Sequence, residues 1–314
     1  MSAEISIIIC TYNRIDSLLP ALEAAADSMR HAKNIQCELA VIDNNSNDST
    51  ADSVKEWCNK NTDIAAFYVM EPKKGLSHAR NCGIAHTQGK LLVFTDDDCH
   101  LPKDYLENAY KYFSQDSTPT LRSGQVLLGD CEDLPVSIKT GKEFVEYSRA
   151  ENSAHAHNVG TLLMGCNMNI PRQMIDALGA FDANFGAGSP MYGGEDTDYV
   201  MRAYAAGYII QFVPDLRLYH YHGRRNIADV KALKKSYIIS NGGLYLKHLF
   251  IHPPLCKPAY WDMKKSIKEI ILRKNLLDET YNISYRKLSY YYIIGALKYT
   301  KLRVSCLLTP STQE

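Results

Sequence analysis

The sequence predicts an α/β fold with a mainly parallel sheet flanked by helices, continued by a helical C-terminal segment. Three observations carry this. Short apolar, β-branched runs alternate with stretches of helical spacing through the N-terminal part of the chain. The early runs end in polar residues with chemistry to offer, Thr11–Asn13, Asp43 and Asp96–Asp98. From Ala228 onward the chain is Lys- and Tyr-rich with helical character, broken at Pro253, Pro254 and Pro258.

Ile5–Cys10 is a continuous apolar run, as expected of a parallel strand buried on both faces. Leu18, Leu22, Ala25 and Met29 recur at helical spacing after it. Glu38–Ile42 is a second strand ending at Asp43, and the polar turn Asn44–Thr50 leads into a helix around Ala51–Asn59. Ala65–Met70 is a third strand, Gly75–Ala85 a loop and helix, and Leu91–Thr95 a fourth strand. Pro102 opens a helix over Lys103–Phe113. The alternation then loosens. Arg122–Gly129 reads as a strand, Pro171–Leu178 as a short helix, and Gly186–Gly194 as a glycine-rich, mobile segment. Thr197–Ala206 reads as a helix, Tyr208–Val213 and Leu216–Tyr221 as strands. Ligands of such sheets gather at the carboxyl ends of the strands, where Thr11–Asn13, Asp43 and Asp96–Asp98 fall.

The 314 residues suffice for one large domain or two smaller ones. Formal net charge is zero but uneven: residues 226–314 hold 15 Lys+Arg and 6 Asp+Glu, so they carry +9 and the remainder −9. The division expected is a catalytic unit over 1–225 and a basic, Tyr-rich helical segment over 226–314. Nine cysteines, an odd number with no CxxC, argue for a reducing compartment and against a disulfide framework or a zinc site. The N-terminus lacks the basic and apolar regions of a signal peptide, and no window has the uninterrupted apolar length of a membrane span. A cytoplasmic location is expected.

Asp96-Asp97-Asp98 closes a buried strand with three anions that repel one another. A divalent cation removes the conflict, and carboxylate oxygens suit Mg²⁺ or Mn²⁺, which in turn suit a diphosphate. On that reading Asp98 binds the metal and Asp96 reaches the nucleotide. Alternate residues of an extended segment share a direction, so Asp97 faces elsewhere. Alone, the run also reads as a solvated acidic turn. Asp43 can accept the N3–H of a pyrimidine base, with Thr11, Tyr12 and Asn13 completing the base site; equally, DNNSND is turn and N-cap chemistry. Arg80 stands in a helix opening at Gly75, positioned for a diphosphate or simply a surface residue. Gly193-Gly194 deliver Glu195 and Asp196, and a carboxylate near a hydroxyl can act as general base. The same acids also suit a helix N-terminus. His220 and His222 share one face of a strand and can ligate a metal, and Arg224 follows at a distance suited to phosphate.

Together, SIIICTYNR, AVIDNNSNDST, KGLSHARNCGI, LLVFTDDDC, MGCNMNIPR, LGAFDANFG, GGEDTDYVMRAYAAG and LYHYHG resemble the family 2 glycosyltransferases of the GT-A fold, in that family's order and across about residues 4–225. The segment after 225 matches none of its motifs. The resemblance implies an inverting transferase using a nucleotide-sugar donor. Asp43 then contacts the base, Arg80 and Asp96 hold the nucleotide, and Asp98 with a late histidine, His220 before His222, ligates Mn²⁺ or Mg²⁺. Asp196 deprotonates an acceptor hydroxyl and Glu195 orients a sugar. One direct displacement needs no protein nucleophile, and the chain carries no Ser/His/Asp or Cys/His signature. Asp43 favours UDP- or dTDP-sugars, and Asn167 and Glu195 are expected to shape the donor-sugar pocket. The acceptor implied is a glycan or lipid-linked saccharide, in bacterial surface polysaccharide or glycoconjugate synthesis; no nucleic-acid partner is implied.

A sugar nucleotidyltransferase would need a glycine-rich basic loop after the first strand, where TYNRIDS has none. A sugar-binding protein without catalysis would not need DDD, GGED and HxH intact. Tyr290–Ile294 with Lys298, Lys301 and Arg303 reads either as a peripheral contact with the inner face of an anionic membrane or as a helical cap on the catalytic unit. Both allow a homodimer.

Overall fold

The computed structural model describes residues 3–149, 153–278 and 280–308. Strands β1 (Ile5–Thr11), β2 (Cys37–Asp43), β3 (Ala65–Met70) and β4 (Leu91–Asp96) alternate with helices α1 (Ile15–His31), α2 (Thr50–Lys60) and α3 (Leu76–His86). Then come β5 (Cys99–His100), α4 (Tyr105–Ser114), β6 (Thr120–Ser123), β7 (Val126–Leu128), β8 (Val145–Tyr147), a 3-10 helix at Ser153–Thr161, β9 (Met168–Pro171) and α5 (Arg172–Leu178). Helix α6 (Glu195–Ala205), β10 (Ile209–Phe212) and β11 (Leu218–His220) follow. The chain ends in α7 (Ile227–Leu249), a 3-10 turn at Pro253–Cys256, α8 (Lys257–Leu272) and α9 (Tyr285–Leu308).

The large sheet runs β3-β2-β1-β4-β9-β6-β10-β8, and a small one runs β5-β11-β7. Strands β3, β2, β1 and β4 are parallel, while β9 enters antiparallel between β4 and β6. The sheet is buried on both faces, which is why β1 reads as apolar over Ile7–Cys10, with Ser6 buried beside it. Ile7 and Ile9 pack with Leu18, Leu22 and Val54 on one side; Ile8 and Cys10 pack with Ala79, Phe94 and Tyr199 on the other. Each such isoleucine contributes about 1.5–3 kcal/mol over an exposed one.

The expected strand Arg122–Gly129 divides into β6 in the large sheet and β7 in the small one. Gly124 sits at the step, where a Cβ would lie 1.9 Å from the Leu216 carbonyl oxygen. Only a glycine lets the two backbones come that close. The glycine-rich segment expected to be mobile is tied down: Leu76 N–H donates to Ala187 O at 2.9 Å, and Ser189 Oγ to Gly186 O at 2.6 Å.

Helices α7 and α9 cross at glycines. A Cβ on Gly295 would lie 1.9 Å from Ile239 O, and one on Gly242 would lie 2.2 Å from Tyr292 O. The crossing buries Tyr292, whose hydroxyl donates to Asp262 at 3.0 Å. Tyr292 of the Tyr290–Ile294 stretch is therefore spent on packing, while Tyr290 and Ile293 stay exposed. Gly295→Leu is expected to cost more than about 2 kcal/mol by overpacking, read as a lower urea midpoint; an unchanged midpoint would mean that the helices do not cross here.

Candidate active site

Strand register builds the site. Thr11 lies opposite Asp43 on one side of β1, and Cys10 opposite Asp96 on the other. A cavity of about 790 Å³ opens at these strand ends. Its wall includes Thr11, Tyr12 and Arg14, the three aspartates, Arg80, the Glu195–Asp196 pair, His220 and Arg224. Helix α7 closes it with Tyr237 and Ser240.

The aspartates divide their contacts. Asp96 has a third of its side chain exposed and lies 3.4 Å from Arg80 Nη2. Asp97 does not turn away as extended alternation suggests. Residues 97 and 98 form a turn between β4 and β5, so the period of two fails there. Asp97 accepts from Thr11 Oγ1 at 2.7 Å and pairs with Arg14 Nη1 at 3.0 Å. Burial pushes its carboxyl up to about 7, against the pull of Arg14. Asp98 takes Arg14 Nη2 at 2.8 Å and faces His220 Nε2 at 3.2 Å. Burial acts to raise Asp98 as well, but His220 and Arg14 prevail and hold it well below the usual carboxylate range.

His220 reaches Asp98 because β11 pairs antiparallel with β5, His220 opposite Cys99. Its Nδ1 lies 2.9 Å from the Ser137 carbonyl, which can only accept, so Nδ1 carries the proton. Burial acts to lower the imidazole, but Asp98 and the Ser137 carbonyl prevail and raise it to about 9, so Nε2 also carries a proton and donates it toward the carboxylate oxygen. A divalent ion could take the place of that proton between Nε2 and the carboxylate, with the histidine fixed from behind. His222 is not among the residues lining the cavity. Its Nδ1 accepts from Arg224 N at 3.0 Å and its Nε2 is buried without a hydrogen-bond partner. Cys99 and Cys166 lie beside His220, the three ligand atoms within 4.8 Å of one another. Spacing could not show that grouping, since three separate segments supply it.

Asp43 is buried and already engaged. It accepts from Ser46 N at 2.8 Å, which caps the turn, and from the Tyr68 hydroxyl at 2.8 Å. It is not among the lining residues, whereas its neighbour Asn44 is. Asn13 takes a left-handed conformation, φ 53°, and its side chain accepts from Asn47 N at 2.8 Å. Tyr12 is exposed, with Lys74 Nζ 3.1 Å from its hydroxyl.

Arg80 is no surface residue. It is buried, donating to Glu195 Oε1 at 2.9 Å and to Gly165 O at 3.1 Å, with Asp96 at 3.4 Å. Its guanidinium is thus spent on positioning acids. Burial and the neighbouring Asp196 raise the Glu195 carboxyl, against the pull of Arg80. Asp196 is half-buried; its Oδ2 accepts from Gly165 N at 2.8 Å and its Oδ1 from Thr197 N at 2.6 Å. Both open α6, where the helix dipole favours acids. Gly194 has φ 83°, and a Cβ there would lie 2.5 Å from Ser240 Oγ.

Asn167 is not placed to read a sugar. It is fully buried, accepts from the Tyr105 hydroxyl at 2.6 Å and donates to Leu216 O at 2.7 Å and Gln125 O at 3.1 Å. It is a strut between the two sheets. Sequence reasoning missed Arg14, although three adjacent anions demand a cation and Arg14 stands in the TYNR motif. It also missed Tyr237 and Ser240, which belong to no motif.

Residues 6–121 match the profile of Glycosyl transferase family 2. The chain is 24% identical over 242 residues to Glycosyltransferase AglE of Haloferax volcanii, covering 76% of this chain and 72% of that one. It is 31% identical over 108 residues to Glycosyltransferase GlyA of Streptococcus pneumoniae, covering 34% of this chain and only 15% of that protein. The family 2 match is to residues 6–121, a little over a third of the chain, and the relatives the chain is similar to are glycosyltransferases. Among solved structures, mannosyltransferase PcManGT from Pyrobaculum calidifontis in complex with GDP-Man and Mn²⁺ superposes with a TM-score of 0.56 at 17% identity, covering 99% of this chain and 77% of that one. S. aureus TarS 1–349 in complex with UDP gives 0.56 at 17% identity, covering 100% and 93%. At that identity they share the GT-A fold with this glycosyltransferase.

Behind α6 lies a buried charge cluster. Asp198 meets Arg202 Nε at 3.0 Å, Lys247 Nζ at 2.8 Å and His248 Nε2 at 2.9 Å. Burial works to raise its carboxyl, but His248, Lys247 and Arg202 outweigh it and lower it from 3.8 to about 2. A lowered carboxyl stabilises the fold above its unfolded value and loses that contribution as pH falls through the folded one. Asp198→Asn should therefore reduce stability by on the order of 2 kcal/mol above pH ~5. The gap to wild type should close as pH approaches about 2. Urea titrations across that range read it; a gap independent of pH would refute the ionic account.

Proposed function

We propose that this glycosyltransferase is metal-dependent and inverting, and moves a sugar from a UDP-sugar to a hydroxyl of a glycan or lipid-linked saccharide in bacterial surface polysaccharide or glycoconjugate synthesis. The observation that carries the reading is one cavity lined by both the Asp96–Asp98 cluster and the Glu195–Asp196 pair, with Arg80 between them. The GDP-Man and Mn²⁺ of PcManGT and the UDP of TarS support a nucleoside-diphosphate donor, and the former a metal.

On this reading Asp98 and His220 hold Mn²⁺ or Mg²⁺. When bound, the ion neutralises the diphosphate and makes it a better leaving group. Arg224 lines the cavity with its Nη1 buried and without a hydrogen-bond partner, and a diphosphate oxygen would supply one. Asp43 keeps acceptor capacity for a base N3–H beside its two present bonds, with Thr11, Tyr12 and Asn13 around the ring. Asp96, the most exposed of the three aspartates, reaches the nucleotide, while Asp97 holds Arg14 and thereby the turn. Asp196 takes the proton of the acceptor hydroxyl. The oxygen attacks the anomeric carbon from the face opposite the diphosphate, and the bond to the diphosphate breaks with its electron pair. Glu195, fixed by Arg80, orients a sugar. The eight cysteines whose side chains are described are free, which supports a cytoplasmic, reducing location. Among the described residues no helix is long and apolar enough to cross a membrane.

Thermal shift with UDP, dTDP and GDP, each with Mn²⁺, should single out UDP, since ligand stabilisation follows mass action. Asp98→Ala should remove the Mn²⁺ dependence of that shift; a dependence that survives would move the metal elsewhere. Asp196→Asn should retain the UDP shift and lower transfer by about 10²–10⁴-fold. Near-normal transfer by that variant would overturn the base assignment.

A further inference from the structure

We propose that α8 is a docking helix that lies flat on an anionic lipid surface. Tyr260, Met263, Ile267, Ile270 and Ile271 recur at i, i+3, i+7, i+10 and i+11, one stripe of the helix. The stripe faces outward: Ile267 is 60% exposed, Ile270 59% and Ile271 73%. Phe250 and Ile251, 85% and 58% exposed, add to it where α7 turns toward α8. A contiguous apolar face of this kind on a charged helix calls for a cover.

Charge identifies the cover. Lys257, Lys264 and Lys268, at i, i+7 and i+11, form a second exposed row beside the stripe, and Arg273 and Lys274 follow the helix. The two acids of α8 point inward. Asp262 accepts from the Tyr292 hydroxyl at 3.0 Å, and buried Glu269 accepts from Leu276 N at 2.9 Å and Arg286 N at 3.0 Å. The outer face is thus apolar and cationic with no acid on it. Long lysine stems reach phosphate level while the apolar stripe sinks among acyl chains. A second copy fits poorly, because a two-fold contact sets one lysine row near another. The sequence pointed at Tyr290–Arg303; α9 spends Tyr292 and Tyr299 on packing and leaves Tyr290, Ile293 and Leu297 exposed, while α8 carries the longer exposed apolar stripe. The docking face rests on the C-terminal helices alone. Only its consequence, an acceptor presented at a bilayer, rests on the glycosyltransferase reading.

Flotation of the full chain with vesicles tests this without any transfer assay. The protein should float with phosphatidylcholine vesicles containing phosphatidylglycerol, float poorly with phosphatidylcholine alone, and detach as salt rises. Ile267→Asp with Ile271→Asp should lower partitioning at least about 10-fold. Lys264→Glu with Lys268→Glu should abolish the preference for the anionic vesicle. Both pairs are exposed, so the UDP thermal shift and the circular dichroism should match wild type. No flotation on either vesicle, or flotation indifferent to both pairs, overturns the proposal. So does a dimer in light scattering that the isoleucine pair dissolves while vesicles stay unbound, which would assign the face to a second copy.

Discussion

A single buried guanidinium holds the site together. Arg80 is planar, permanently charged and almost fully enclosed, with Phe94 and Phe181 about its plane at 6.0 and 5.4 Å. It joins the end of β4 through Asp96, the approach to β9 through Gly165 and the start of α6 through Glu195. Those segments are far apart in the chain. Removing one partner from such an ion pair typically costs about 3–5 kcal/mol, because the other charge is left buried alone. The acids of α6 therefore sit where they do because a cation on α3 needs them, and the converse holds equally.

The same logic governs the aspartates. Three adjacent carboxylates at a strand end are affordable only with counter-charge. Arg14 supplies it to Asp97 and Asp98, and His220 supplies it to Asp98 from the small sheet. Unequal surroundings then give like residues unlike character: Asp97 raised by burial, Asp98 lowered by its two cations. One run of sequence thus supplies one carboxylate held ionised by its cations and another that fixes the turn through Arg14.

The C-terminal helices do more than extend the fold. Helix α7 lends Tyr237 and Ser240 to the cavity wall and clamps Asp198 with Lys247 and His248. It is in turn gripped by α9 through paired glycines. The position of the Glu195–Asp196 pair thus depends on a segment that matches no motif of the family.

Much of the fold could be read from the chain. The alternation of β-branched runs with helical spacing determined the α/β class, and strand ends rich in Asp, Thr and Asn located the site, because parallel sheets leave those ends open to ligands. Local pattern failed where backbones meet across the fold. A β-run that looks continuous broke at Gly124, since the clash that requires glycine comes from Leu216. Asn167, polar in an apolar run, looked functional and is a strut, because a buried amide is satisfied by whatever carbonyls tertiary structure brings near. Arg80 looked ordinary for want of any local sign that it would be enclosed. The sequence by itself determined which groups exist and at which strand ends they emerge. Only the tertiary structure decided between His220 and His222 as the partner of Asp98, and brought out the exposed apolar stripe of α8. Both turn on packing between segments distant in the chain, and no spacing rule carries that information.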